Sequence, residues 1–174
     1  MATAGRVVWL EDGTWTPAID AALGAFNAAP PCAGKGVVIP AGVSVRAVNP
    51  GSAIISFTGG NALCVTGGAT LSGFEIQRTA GGGVALYVSG GTSSLDGVAF
   101  SGVVSGYDYD YFDVVGGAKV TMTPGGRATY ATGFGAGVVV QGAGSELVVN
   151  GGAFDDAHWS AISRAAHLAV TGGA

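Results

Sequence analysis

Residues 107–113 read Tyr-Asp-Tyr-Asp-Tyr-Phe-Asp, three carboxylates interleaved with aromatic rings in a chain whose charged residues make up only 10%. Carboxylates at this spacing do two kinds of chemistry. One of a pair can protonate a glycosidic oxygen while the other activates water or attacks the sugar. Three together offer hard oxygen ligands to calcium. If the segment is extended, Asp108 and Asp110 share a face about 6.6 Å apart between Cα atoms, near the separation of an inverting acid pair. A calcium site would draw on Asp108, Asp110 and Asp113, but the run has no glycine-bearing ligand loop of the EF-hand kind. The same alternation turns Tyr107, Tyr109 and Tyr111 to the opposite side, so a sugar stacked on the rings would face away from the acids. Tyrosine, with a large apolar ring and a polar tip, also suits a protein interface or a glycan contact. That reading is preferred here, with no cofactor.

A second polar cluster, "FDDAHWSAISRAAH" at 154–167, holds Asp155, Asp156, His158, Trp159, Arg164 and His167. A His/Asp pair can exchange protons, and Trp159 can hold a sugar. No serine, histidine and aspartate spacing signals a nucleophilic triad, so the cluster reads as a contact surface. The glycine runs at 67–68 and 81–83 are not phosphate loops, since no Gly-Lys-Ser/Thr follows either of them.

The elements that position these residues follow from composition and repetition. A chain of 174 residues fits a single domain. Its 48% hydrophobic content and 33 glycines without a three-residue period exclude disorder and collagen. The net charge of -4 with only 7 Lys+Arg argues against nucleic acid and anionic membranes as partners. No secretion signal or membrane-spanning run is recognisable, which points to synthesis in a cytoplasm. Cys32 and Cys64 lack metal-type spacing and are expected to be buried free thiols.

One phrase recurs: "LCVTGG" at 63–68, "LYVSGG" at 86–91, "FDVVGG" at 112–117, "VVVQGAG" at 138–144 and "LAVTGG" at 168–173. Its valines, at 65, 88, 114, 140 and 170, are 23, 26, 26 and 30 residues apart. A degenerate copy, "VVIPAGVSV" at 37–45, puts Ile39 a further 26 residues upstream. Between the phrases, Leu71 aligns with Leu95 and Ile76 with Phe100, while Glu75 falls on Ala99 and Asp96 on Ser72, so no acid stacks on an acid. Strand-like alternation closed by glycine turns, in about five or six coils, describes an all-β solenoid with an apolar interior. Residues 17–28 are expected to form a capping α-helix: Thr16 is the N-cap, Pro17 opens the first turn, and Ile19, Leu23 and Phe26 share a face. The single domain, 1–174, is thus divided into an arm and capping helix over 1–34 and coils over 35–174. At the other end "LAVTGGA" provides no comparable lid.

A helix of the type "TPAIDAALGAF", the strand "GKGVVIPAGVSVRAV" and repeated Val-x-Gly-Gly coils resemble the right-handed parallel β-helix superfamily of pectate lyases and bacteriophage tailspikes. The resemblance extends over residues 12–173. It implies a single-stranded right-handed parallel β-helix, and either carbohydrate chemistry or a part in a virion. The preferred expectation is a non-enzymatic virion protein, a capsid decoration or cement protein or a small tail spike or fibre module. Its implied partners are its own copies in a homotrimer, other virion proteins and a host surface glycan. Two alternatives are a polysaccharide depolymerase, hydrolase or lyase, using Asp108 and Asp110, and a glycan-binding module.

Overall fold

The computed structural model describes residues 5–16, 32, 35–58, 61–80, 84–103, 110–125, 127–132, 136–151, 153–155 and 159–172. Nineteen strands, numbered along the chain, lie in three sheets, with no helix among the described residues. The helix expected over 17–28 falls outside those residues. Sheet A contains β1 (Val7–Leu10), β4 (Ser44–Ala47), β7 (Thr70–Ser72), β10 (Thr92–Asp96), β13 (Lys119–Met122), β16 (Glu146–Asn150) and β19 (His167–Gly172). Sheet B contains β2 (Gly13–Trp15), β5 (Ala53–Thr58), β8 (Phe74–Ala80), β11 (Ala99–Val103), β14 (Arg127–Thr132) and β17 (Ala153–Asp155). Sheet C contains β3 (Lys35–Ile39), β6 (Asn61–Thr66), β9 (Leu86–Ser89), β12 (Asp110–Val115), β15 (Ala136–Gln141) and β18 (Trp159–Arg164). Every strand pairs in parallel with the strand three along the chain. That order is compatible with a parallel β-helix. The arm before the expected helix itself contributes two strands, β1 and β2, which the glycine phrase did not signal.

In-register pairing turns the period-two alternation into continuous columns of apolar side chains. In sheet A, Val8, Val45, Leu71, Leu95, Met122, Val149 and Val170 stand in one column. Sheet B contributes Ile55, Ile76 and Phe100, and sheet C contributes Ile39, Val65, Val88, Val114 and Val140. All of these except Val8 and Val170 are buried in one hydrophobic cluster. Each such side chain contributes about 1.5–3 kcal/mol over its exposed state. The glycine phrase follows from the corners. At Gly91, with φ 66°, a Cβ would lie 2.2 Å from the carbonyl carbon of Gly67, so neighbouring turns nest backbone on backbone.

Two expectations are corrected. Val170 does not continue the column of Val65 and Val140. It pairs with Val149 in sheet A, and the residue opposite Val140 is Ser163. The last sheet C strand is instead spelled "WSAISR" and is followed by Ala165-Ala166 in place of Gly-Gly, with Ala165 at φ 52° taking up the left-handed turn. An apolar-x-apolar phrase fits any inward strand, so the motif alone could not separate the two sheets. Cys32 and Cys64 are buried as expected, but they are joined in a disulfide with Cα atoms 5.8 Å apart. Arg78 and Asp113 are both buried.

Candidate functional site

Three of the expected site residues, Asp110, Tyr111 and Trp159, fall at the start of sheet C strands. Tyr107, Asp108 and Tyr109 lie outside the described residues, as do Asp156 and His158. Asp110 and Tyr111 are the first residues of β12, so they belong to the sheet itself. Asp110 stands opposite Ala136, and Ala136 opposite Trp159. Asp110 and Trp159, from polar clusters read separately in the sequence, therefore stand in one row of sheet C, two strand spacings or about 10 Å apart. Among the other members, Asp155 closes β17, Arg164 closes β18 and His167 opens β19.

Asp113 occupies a different environment. It stands in the column Val38, Cys64, Tyr87, Asp113 and Val139, which alternates with the interior column of sheet C. Here Cys64, Asp113 and Val139 are buried, whereas the corresponding column of sheet A is made of Arg46, Ser72 and Asp96. The outward side of sheet C is thus covered, and Cys32 is bonded onto it through Cys64. Burial, and after it the negative charge of Asp113, push the Tyr87 phenol above its ordinary value. Of the calcium candidates, Asp113 therefore sits in a packed column, and among the described residues no three His, Cys, Asp or Glu are placed to hold a metal.

A further polar group comes from three neighbouring strands of sheet A. Lys119, Glu146 and His167 stand in register. His167 Nδ1 lies 3.0 Å from one Glu146 oxygen, and Lys119 Nζ 3.6 Å from the other. The hydrogen bond with His167 holds the Glu146 carboxyl below its usual range; partial burial opposes this, and Lys119 adds to the lowering. These three line an open cleft of about 510 Å³ together with Gly144, Ser145, Ala165 and Ala166. A carboxylate bonded to Nδ1 orients the imidazole and leaves its other nitrogen available for proton exchange. The one hydroxyl in the wall is already engaged, because Ser145 Oγ is buried and accepts the backbone N–H of Gly117 at 3.1 Å. The group is a charge ladder tying three strands together, without a reaction partner in place.

Known proteins offer no match. No family model, no curated protein and no solved structure matches the chain. The site is therefore read from its own geometry. Sequence reasoning missed the ladder because its members lie 27 and 21 residues apart and become neighbours only once the strand register is known. His167 had been grouped with nearby aspartates, whereas its described partner is Glu146, one strand away.

Proposed function

We propose that the chain forms a right-handed parallel β-helix whose task is structural: an oligomeric, non-enzymatic component of a bacteriophage particle, either a decoration or cement protein or a small spike or fibre module. Parallel strands joined by crossovers favour right-handed winding, because only that hand packs a right-twisted strand back onto its sheet. The observation that carries the structural reading is the exposure of interior positions at the two ends of the strand stack. Val8 is 39% exposed and Val170 64%, although both belong to a column whose inner members are buried. Trp15, opposite Ile55 in sheet B, is 45% exposed. Interior side chains open to water at sheet edges favour association, since they combine apolar surface with unpaired backbone groups.

The tailspike resemblance adds the virion setting and a homotrimer packed side by side. Sedimentation of the purified protein, with mass analysis of the native particle, tests the reading. A stable oligomer that co-purifies with particle proteins is expected. A free monomer absent from any particle would overturn it.

One observation favours a second reading, glycan contact. The row Asp110, Ala136, Trp159 sets the start of β12, with Tyr111 as its second residue, and the start of β18, at Trp159, in the same sheet. Aromatic rings at such strand starts are platforms for sugars. Glycan-array binding that is lost in Trp159→Ala and Tyr109→Ala would establish this reading. Release of new reducing ends that stops in Asp110→Asn would instead make the protein a depolymerase.

A further inference from the structure

The span from Cys32 to Cys64 encloses one circuit of the three sheets. It runs through β3 in sheet C, β4 in sheet A and β5 in sheet B, and returns to sheet C at Cys64 within β6. The bond thus ties the residues just before β3 to the neighbouring strand of the same sheet. β1, β2 and β3 are the terminal strands of sheets A, B and C. Stacked strands open first from such an end, because a terminal strand is held by a neighbour on one side only. At this end Val8 and Trp15, which stand in the interior columns of sheets A and B, are 39% and 45% exposed. The cystine lies beside it, at a column of sheet C that is packed rather than solvated.

We infer that the Cys32–Cys64 pair is an oxidation-set lock on this end of the molecule. Folding brings the two thiols together, and their oxidation fixes the first circuit against unwinding. The two thiols lose two protons and two electrons as the sulfur–sulfur bond forms. A small-molecule disulfide such as oxidised glutathione accepts them and is cleaved to two thiols. Cys32 is 3% exposed and Cys64 0%, so the closed bond is shielded from thiolates, which must reach a sulfur to attack it. Closing and reopening therefore both require the end to open transiently. In a reducing compartment the fold is complete but unlatched, and transfer to an oxidising medium latches it.

The test compares full-length protein kept reduced throughout purification with the same protein treated with oxidised glutathione. Native maleimide labelling, intact mass and amide hydrogen exchange are the readouts. Oxidised protein should be lighter by two hydrogens and resist labelling. Its β3 to β6 amides should exchange roughly a hundredfold more slowly than in the reduced form, while those of β13 and β16 keep their rates. Cys32→Ser should exchange like the reduced protein even after oxidant treatment. Persistent labelling after oxidation, glutathione adducts in place of the internal bond, or exchange that changes equally in all strands or in none would each overturn the inference. Should Cys32→Ser fail to fold, the two redox forms of the unaltered protein decide the question alone.

Discussion

A methyl group on Gly102 would lie 1.8 Å from the carbonyl oxygen of Arg78, and the backbone there has φ 104°, which side-chain-bearing residues rarely adopt. Both obstacles are backbone, so no side chain can move aside. Gly102→Ala should cost more than about 3 kcal/mol in urea unfolding, while Ser101→Ala, one residue away, should cost far less. Nothing in the sequence distinguishes Gly102 from the glycines at corners. Its constraint comes from the backbone of Arg78, which stands opposite it on the adjacent strand. Glu146 allows a test of a different kind. A carboxyl lowered in the folded state contributes stability that is fully present above the ordinary carboxylate value and is lost as pH falls through the lowered one. Glu146→Gln should therefore lose less melting temperature than the unaltered protein between about pH 5 and about pH 3. Equal losses in the two proteins would show that the carboxyl is not lowered.

At the scale of elements, the columns make burial depend on position in the stack. Phe100 is 1% exposed and has Ile76 and Ala128 opposite it on the two neighbouring strands. Phe100→Ala should destabilise by about 3–5 kcal/mol, through lost burial and the cavity left behind. Val170→Ala, in an equivalent inward position on the terminal strand, should change stability by less than about 0.5 kcal/mol in the isolated chain. A comparable loss at both sites would mean that Val170 is covered in solution. Strands of this kind were legible where a valine and a glycine pair marked them, as at Val65, Val88 and Val114. Ser163 and Ala165 remove both marks in the last strand of sheet C, so the eye moves to "LAVTGG" one strand further on. The disulfide was illegible for a related reason. Cys32 precedes β3 and aligns with no repeat position, and only the covered outer side of sheet C brings it against Cys64.

For the molecule as a whole, the sequence carried the stacking of parallel strands through its repetition, because recurring glycine corners and alternating valines set most strands of sheet C on their counterparts. It carried the partner poorly. Solvent-facing positions such as Thr70, Ser94 and Thr121 follow no phrase, and the polar row at Asp110 and Trp159 emerges only when strands 49 residues apart are set in register.

Equivalent points of sheet C recur at Ile39, Val65, Val88, Val114, Val140 and Ser163. Length in this molecule is consequently quantised. Excising residues 89–114 would join Val88 to Val115 and remove one strand from each sheet while leaving every remaining column aligned, so the shortened chain should still melt in a single cooperative transition. A cut joining non-equivalent points within two strands would instead break the in-out alternation of the strand formed at the junction. The gene could thus lengthen or shorten the protein by whole circuits without redesigning its core.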